Sequence, residues 1–519
     1  MSRAFIIFIW LMFFSTITHL KSQTTETKSD ALKIISGESM LADIEFLSSD
    51  LLEGREAGKR GAKMAASYIA AHFQKYGLEP FDTAASDETA RKFIQSVNLV
   101  REETDQSSFS VVKKNSSYQF SENSDFAPIS VEQSFTSQGN TFFGGFGLPE
   151  DLKNLDDKKD NMILVRAKGY PGANDTLSEG YAKHHHLSED ELTRKKNQAA
   201  KEAGIMAILE FDPEQPAPFT EDHAKPDAFA EEELTKYTSG IYRKRVRRAD
   251  KPVSGQPPVF LISHRPLSVL FPEWQSHLSE DPESLKLNMD PGPEVKLSAK
   301  TKSIPFSCGN VVGVIPGENK DAFIVVGAHY DHLGFYDGYI WNGADDNASG
   351  VAGVMALAKA FSESGITPKH NLIFAAWTAE ERGLHGSTHF VNNFDDPDRI
   401  RYYQNYDMIG RSPDPEKPDS NVSFIYTRAW EEAKELNQAN NKTFDLDLKV
   451  RYADVEKPVS GSDNAPFAQK GIPIMWFHTG LNSDYHRPSD HVDKIDRAKL
   501  ENIVKLSFLN LWDLSIDQN

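Results

Sequence analysis

The pattern of apolar and polar residues is clearest in the second half of the chain, where short apolar runs alternate with polar loops. Residues 322–327 (AFIVVG) and 371–377 (NLIFAAW) are rich in β-branched and aromatic side chains, which predicts two buried strands. Between them, residues 347–364 begin with Asn and Ser and carry apolar side chains at helical spacing, which predicts a helix. Two more strands are predicted over residues 402–406 and 472–477. This alternation is typical of an α/β sheet.

Each of these predicted strands is followed by acidic residues or histidines. In α/β folds, sites lie beyond the carboxyl ends of the strands, so these side chains are expected to meet there. The candidates are His329, Asp346, Glu380, Glu381, Asp407 and His486. Imidazole together with carboxylates suits zinc, and a bridging carboxylate holds two ions about 3.5–4 Å apart. The pattern therefore indicates a metal site.

Five motifs in this part of the chain resemble those of the co-catalytic zinc aminopeptidases, a family that also includes glutamate carboxypeptidase and the glutaminyl cyclases. They are HYD, GADDNASG, TAEERGLHGS, NYDMIG and DYHRPSD, in this order. The resemblance is strong over residues 309–512 and weak over residues 41–78. It implies a zinc-dependent exopeptidase fold, in which helices flank a mixed, mostly parallel central sheet.

The resemblance also implies a set of ligands for two Zn²⁺ ions. His329, Asp346 and Asp407 would bind one zinc. Asp346, Glu381 and His486 would bind the other, so that Asp346 bridges the two ions.

The same resemblance gives roles to Glu380 and Asp331, and the chemistry of a phenol next to His486 suggests one for Tyr485. Glu380 would be the general base, which takes a proton from the bridging water and passes it to the leaving amine. A metal-bound histidine usually donates its other N–H to a carboxylate, so Asp331 is the predicted partner of His329. Tyr485 would donate its hydroxyl to the developing oxyanion. A simple packing role beside the metal loop is an equally good interpretation of Tyr485.

The amino terminus has the pattern of a secretory signal peptide. Residues 1–22 contain one arginine, an apolar stretch over residues 4–14, and then small and polar side chains. The stretch is too short to span a membrane, so we expect export to the periplasm or the medium without a stable membrane anchor. Cys308 is the only cysteine, which excludes an intramolecular disulfide.

The acidic composition of the chain limits the classes of molecule that are expected as partners. The chain is 39 % hydrophobic and has a formal net charge of −19. Such acidity argues against nucleic acid and anionic membrane surfaces as partners. Peptide substrates are the expected partners, and the oligomeric state is left open.

The motifs are missing from residues 96–304, a segment too long for a loop. We predict a separate unit there, inserted into a peptidase domain formed by residues 30–95 and 305–519. A strand over residues 161–167, a helix over 195–204, and strands over 205–211 and 257–263 resemble the mainly β protease-associated domain. Within this unit, residues 184–186 (three histidines) and the basic run 243–248 are interpreted as polar surface segments.

Before the insert, helices are predicted over residues 39–47 and 58–76. The charged loop between them, residues 51–61 (LLEGREAGKRG), resembles the loop that precedes the first helix of the family. We interpret its charges as solvated.

The preferred function is that of an aminopeptidase, in which Glu380 and Asp407 hold the free α-ammonium of the substrate. A carboxypeptidase of the same fold would need cations for the substrate carboxylate, and Arg411 and Arg487 are candidates. A single-zinc glutaminyl cyclase is a further alternative. A binding protein that retains the scaffold without catalysis usually lacks ligands, and none is lost here.

Overall fold

The chain divides into two compact units. A computed structural model describes residues 27–81, 92–113, 116–122, 124–152, 161–169, 189–213, 245–275, 291–336, 338–414, 417–456 and 461–516. The first unit, here called the site unit, consists of Met1–Asn98 and Ser307–Asn519. The second, here called the insert unit, is Leu99–Phe306.

The strands of the described residues are β1 (Glu79–Pro80), β2 (Ile94–Lys113), β3 (Ser116–Phe120), β4 (Phe126–Ser130), β5 (Phe135–Phe143), β6 (Ile163–Ala167), β7 (Ala207–Phe211), β8 (Arg245–Arg248), β9 (Val259–Ile262), β10 (Glu294–Ile315), β11 (Asn319–His329), β12 (Gly334–Tyr336), β13 (Tyr339–Trp341), β14 (His370–Trp377), β15 (Ile400–Tyr406), β16 (Asn421–Thr427), β17 (Lys449–Val455) and β18 (Ile474–His478).

The helices are α1 (Gly37–Leu47), α2 (Arg60–Lys75), α3 (Pro149–Leu152), α4 (Glu189–Glu202), α5 (His264–Leu270), α6 (Gly350–Glu363), α7 (His385–Asn392), α8 (Glu431–Thr443), α9 (Asn464–Gln469) and α10 (Arg497–Ser515). Short 3₁₀ segments cover Asp50–Arg55, Pro397–Arg399 and Val492–Lys494, and a π-type turn covers Ala344–Ser349.

The site unit contains a mixed sheet in the order β17-β16-β18-β15-β11-β14-β10. Strands β14, β11, β15 and β18 run parallel, and β16 and β17 are parallel to each other. The β16–β18 and β10–β14 pairs are antiparallel. The predicted fold class, a mostly parallel central sheet flanked by helices, is therefore confirmed.

Helices cover both faces of this sheet, which explains why its central strands are apolar on both sides. On one face, α1, α2, α6 and α10 contribute to a core that includes Ile44, Phe73, Phe361 and Trp512. On the other face, α7 and α9 contribute Phe390 and Phe467. The predicted helix over residues 347–364 begins later, at Gly350, because Asp346 and Asn347 have non-helical backbone angles within the π-type turn.

The interpretation of the charges between α1 and α2 as solvated is wrong for Arg55 and Glu56, which are buried. The other charged residues of this loop, Glu53, Lys59 and Arg60, are exposed as expected. Residues Asp50–Arg55 form a 3₁₀ segment, and the Arg55 side chain is only 1 % exposed. The two helices predicted on either side of this loop are close to those observed, since α1 and α2 begin within two residues of the predicted starts.

The insert unit has its own hydrophobic core. Strands β5, β6, β7 and β9 are parallel neighbours, while β4, β3 and β8 add antiparallel pairs. The predicted strands over 161–167, 205–211 and 257–263 correspond to β6, β7 and β9, and α4 begins six residues earlier than predicted. The assignment of this unit to the protease-associated type stays a prediction.

Part of the sequence analysis falls outside the described residues, namely the signal peptide (1–22), the three histidines (184–186) and the start of the basic run. Of that run, Arg247 Nε donates to the buried carboxylate of Glu102 at 3.1 Å, and Arg248 Nη2 donates to Asp250 at 2.7 Å. The described helices include none that is both long and apolar enough to cross a membrane.

Candidate metal centre

The carboxyl ends of four parallel strands build the site. In the order β14-β11-β15-β18, neighbouring strands end side by side, so the residues that follow them converge. His329 is the last residue of β11, and Asp407 directly follows β15. Glu380 and Glu381 follow β14, and His486 lies in the loop after β18.

Asp346 occupies the middle of this group and contacts two histidines through different atoms. Its Oδ1 lies 3.3 Å from His329 Nε2, and its Oδ2 lies 3.2 Å from His486 Nε2. Asp407 Oδ1 lies 3.6 Å from His329 Nε2, and Glu381 Oε2 lies 3.3 Å from His486 Nε2. The five predicted ligands thus form two groups that share Asp346.

These separations fit zinc. Ligand atoms about 2.0–2.2 Å from a tetrahedral zinc lie about 3.3–3.6 Å from one another, which is close to the observed range. Ligand atoms of His329, Asp346 and Glu381 all lie within 4.8 Å of one another, and so do those of His329, Glu380 and Asp407. A buried set of imidazoles and carboxylates without a cation would be electrostatically costly, whereas divalent ions would neutralise it.

The two adjacent glutamates have opposite environments. Burial, together with the carboxylates of Asp407 and Glu381, holds the pKa of Glu380 well above its usual range despite the nearby His329. Burial would also raise the pKa of Glu381, but His486 and a hydrogen bond with His332 lower that pKa overall. One glutamate is therefore suited to carry a proton, and the other to remain charged as a ligand.

The contact between His329 and Asp331 differs in its atoms from the predicted one. His329 Nδ1 lies 3.1 Å from the main-chain carbonyl oxygen of Asp331, so the ring is oriented by the backbone rather than by the carboxylate. The carboxylate of Asp331 instead accepts a hydrogen bond from the Glu380 amide at 3.0 Å. Burial raises the pKa of Asp331 to about 6. Asp331 thus connects the loop of His329 to the loop of the glutamates.

Tyr485 lies at the exposed side of the group. Its ring stacks on the His486 ring with centroids 3.8 Å apart, and 37 % of the residue is exposed. Burial of its hydroxyl region and the charge of Asp346 raise its pKa. This position is compatible with both interpretations of Tyr485, which stay open.

Sequence reasoning missed two residues that support the ligands. His332 is buried, and its Nδ1 lies 2.8 Å from Glu381 Oε1. The other carboxylate oxygen of Glu381, Oε2, faces His486. Asp490 accepts hydrogen bonds from the amides of Asp345 and Asp346, each at 3.0 Å, and so fixes the turn that presents Asp346. Both lie inside or next to the quoted motifs HYD and DYHRPSD, which is the signal that was available.

Ser462, just before α9, contacts one of the predicted ligands. Its hydroxyl donates to Asp407 Oδ2 at 2.5 Å and accepts from Asn405 Nδ2 at 2.8 Å. Asp463 occupies the N-cap position of α9 without a capping hydrogen bond from its side chain. Burial raises the pKa of Asp463 to about 7, and Asp407 is among the nearby charges. This helix start therefore orients the metal site.

The fold and the site together define a class: α/β proteins with two histidine-containing groups joined by one shared carboxylate beyond the strand ends. Residues 310–509 match Peptidase family M28. The match covers less than half of the chain, and within it the resemblance to the co-catalytic zinc aminopeptidases that the five motifs predicted is confirmed.

Two curated relatives illustrate the match. Leupeptin-inactivating enzyme 1 of Streptomyces exfoliatus is 29 % identical over 227 residues, which is 40 % of this chain and 45 % of the relative. Leucine aminopeptidase 2 of Trichophyton rubrum is 39 % identical over 215 residues, which is 37 % of this chain and 41 % of the relative. The matched part thus spans less than half of either relative.

Solved structures share the fold over more of the chain. An aminopeptidase from Aneurinibacillus sp. strain AM-1 has a TM-score of 0.60 at 17 % identity and covers 94 % of this chain and 96 % of its own. BSAP, a zinc aminopeptidase from Bacillus subtilis, has a TM-score of 0.55 at 18 % identity and covers 93 % and 97 %. At these identities the likeness is evidence of fold alone.

Proposed function

We propose that the protein is an exported dizinc aminopeptidase that removes residues from the free amino ends of peptides. The observation that carries the proposal is the position of Asp346, whose two oxygens face His329 and His486 separately. A carboxylate in this position is suited to bridge two ions.

In this proposal, His329 and Asp407 hold one zinc, Glu381 and His486 hold the other, and Asp346 binds both. Zinc bound there would act as a Lewis acid toward the scissile carbonyl and would acidify water.

Glu380 performs the proton transfers. Its carboxylate accepts a proton from the attacking water and then gives that proton to the amine released when the peptide C–N bond breaks. Burial and neighbouring carboxylates raise the pKa of Glu380, which favours a group that holds a proton between the two steps. The Asp331 carboxylate, which accepts from the Glu380 amide, keeps this segment in place.

The charge of the site favours a substrate amine over a substrate carboxylate. Glu380 and Asp407 provide carboxylates for an α-ammonium group. Arg411, one of the two cations considered for a carboxypeptidase, is 2 % exposed, and its Nη1 lies 2.7 Å from Asp484 Oδ2. Arg411 is therefore buried and paired with Asp484, so Arg487 is the remaining candidate for binding a substrate carboxylate.

The names of the relatives point the same way. The Trichophyton relative is a leucine aminopeptidase, and the Bacillus structure is a zinc aminopeptidase. Export rests on the pattern of residues 1–22 alone and is part of the proposal.

The test is a panel of free-amine aminoacyl anilides and amino-blocked peptides, assayed with wild type, a chelated sample, Glu380→Gln and Glu363→Gln. Only free-amine substrates should be cleaved, and chelation should abolish cleavage. Glu380→Gln should lower the rate by about 10²–10⁴ while zinc content is unchanged. Glu363→Gln makes the same change at an exposed position at the end of α6 and should act like wild type.

Two outcomes would contradict the proposal. Release of carboxyl-terminal residues from blocked peptides would replace it with the carboxypeptidase alternative. Zinc-loaded, folded protein that cleaves none of the panel would remove the aminopeptidase assignment.

A further inference from the structure

We propose that Arg55, far from the motifs in sequence, is a positioning residue that holds the two ligand-bearing loops of the metal centre together. The inference rests on the proposed zinc site. It adds a requirement for that site, namely a buried guanidinium supplied by the segment between α1 and α2.

The Arg55 guanidinium donates to main-chain carbonyl oxygens from three separate segments. Its Nε donates to Tyr330 at 2.7 Å, Nη1 donates to Leu47 and to Asn342, the latter at 2.6 Å, and Nη2 donates to Gly343 at 2.9 Å. Among the described residues, every acceptor of this side chain is such a carbonyl. The planar, five-donor shape of arginine is what allows one side chain to connect three segments.

Two of these segments are the ligand loops. Tyr330 stands between His329 and Asp331 in sequence, and Gly343 is three residues before Asp346. A shift of either carbonyl would move a ligand, and zinc geometry tolerates little error. The Arg55 side chain therefore sets the distance between the loop of His329 and the loop of Asp346.

The backbone of Arg55 takes part as well. Its own carbonyl oxygen accepts a hydrogen bond from the His332 amide at 3.2 Å, so the HYD loop is held from two directions. Gly54 has φ +65°, and a Cβ there would lie 2.4 Å from the carbonyl oxygen of Gly334 and 2.5 Å from that of Trp341. The glycine thus allows the segment to approach β12 and β13 closely enough to insert Arg55.

The positive charge of Arg55 interacts with the carboxylates of the metal centre. None of its four acceptors carries a formal charge, so the cation is balanced through space by the carboxylates of the centre. Burial lowers the pKa of Arg55 to about 10, and Asp346, Asp490 and Asp331 act in the opposite direction. The buried cation in turn offsets part of the repulsion between these carboxylates.

Arg55→Lys tests the geometry because lysine keeps the charge but lacks the planar fork. The matched control is Arg166→Lys, which alters another arginine that is 1 % exposed but lies in the insert unit. Both full-length proteins are measured for zinc affinity by competition with a chelator, and for ligand geometry by the visible spectrum of the cobalt-substituted protein.

We expect Arg55→Lys to bind zinc about 10–100-fold more weakly, as is typical when a residue behind metal ligands is changed. The cobalt spectrum should change as well. Arg166→Lys should show neither effect: it should retain wild-type zinc affinity and spectrum even if it unfolds more easily. Folded Arg55→Lys with wild-type zinc affinity and spectrum would overturn the inference.

If Arg55→Lys does not fold, Asn342→Ala decides the question. Asn342 Nδ2 donates to the Ser48 carbonyl oxygen at 2.7 Å and to Asp50 Oδ1 at 2.8 Å, so it connects the same segments more weakly. Reduced zinc affinity in folded Asn342→Ala would support the inference, and wild-type affinity would contradict it. Wild-type protein that binds zinc but hydrolyses no peptide would contradict only the proposed function.

Discussion

Each unit contains a buried cluster of charged side chains, and the two clusters are balanced differently. In the insert unit, Arg166 Nε donates to Glu210 Oε2 at 2.7 Å, and Arg166 Nη2 donates to Asn197 Oδ1 at 2.7 Å. The side chains of the ion pair are 1 % and 11 % exposed. This pair neutralises itself, as a structural ion pair must when it is removed from water.

The metal centre of the site unit does not neutralise itself in the same way. Carboxylates outnumber imidazoles among the five predicted ligands, and Glu380 adds another carboxyl group. The pKa of Glu380 is raised while that of its neighbour Glu381 is lowered. Two adjacent groups with opposite shifts support the proposed acid–base role of Glu380 better than one shifted group would, because a structural pair such as Arg166–Glu210 also shifts a pKa.

The largest expected effect follows from breaking the ion pair between Arg166 and Glu210 in the insert unit. Glu210→Ala leaves the buried Arg166 cation without its carboxylate, which should destabilise the unit by about 3–5 kcal/mol. Amide hydrogen exchange of β6 and β7 under native conditions measures this loss locally. Zinc affinity of the folded protein should not change, because these residues belong to the other cluster.

The control for Glu210→Ala is Lys302→Met, which breaks a pair between Lys302 and Asp105 whose side chains are 58 % and 32 % exposed. Exposed pairs contribute little, so hydrogen exchange should stay close to wild type. Equal exchange rates in Glu210→Ala and wild type would show that the buried pair does not stabilise the insert unit. The contrast drawn between the charged clusters of the two units would then be wrong.

The sequence was sufficient to predict the central strands and to identify five candidate ligands whose side chains the structure brings together, while their binding of zinc stays a prediction. The apolar runs within β11 and β14 are short and are buried on both faces, so their pattern is distinctive. His329 ends β11 and Asp407 directly follows β15, and five motifs in order leave little freedom for assigning the other candidates. By contrast, β17 is half-exposed and alternates irregularly, and α10 is buried on most of its surface, so neither has a clear period.

The supporting residues could not be predicted because their roles depend on distant neighbours. Arg55 and its acceptor Tyr330 are 275 positions apart, and Asp490 and its donor Asp346 are 144 positions apart. A charged residue in a loop is usually solvated, and local sequence does not reveal that Arg55 is enclosed by three segments. The atoms through which His329 contacts Asp331 likewise depend on backbone angles that composition does not determine.

The next largest effect concerns the site unit. His332→Ala removes the hydrogen bond to Glu381 Oε1 and should weaken zinc binding about 10–100-fold, because such partners orient the ligand. His332→Asn can place an amide nitrogen near the position of Nδ1 and should recover much of the affinity. Chelator competition at fixed pH measures both variants.

The two variants separate the loss of the hydrogen bond from the loss of the ring, because both remove the imidazole of His332 and only His332→Asn can still donate. If His332→Asn binds zinc as weakly as His332→Ala, the orienting hydrogen bond is not the cause. If neither variant differs from wild type, Glu381 is held without His332, and the supporting role assigned to His332 is wrong.

The smallest effect is a difference in acid stability at the insert-unit pair. Burial alone would raise the pKa of Glu210, but Arg166 lowers it below the ordinary value of 4.5. A group whose pKa is lower in the folded state stabilises that state above the unfolded pKa and loses this contribution as the pH falls through the folded pKa.

Glu210→Gln lacks this titration. Its β6 and β7 amides should exchange faster than those of wild type near neutral pH. The difference should shrink as the pH falls from 4.5 toward the lower folded pKa, because the unfolded chain binds its proton first and the folded wild-type carboxyl becomes neutral only at the folded pKa. The metal-site carboxylates are the same in both proteins, so they cancel in the comparison. A difference that stays constant from neutral pH to well below the folded pKa would show that the charge of Glu210 does not stabilise the pair.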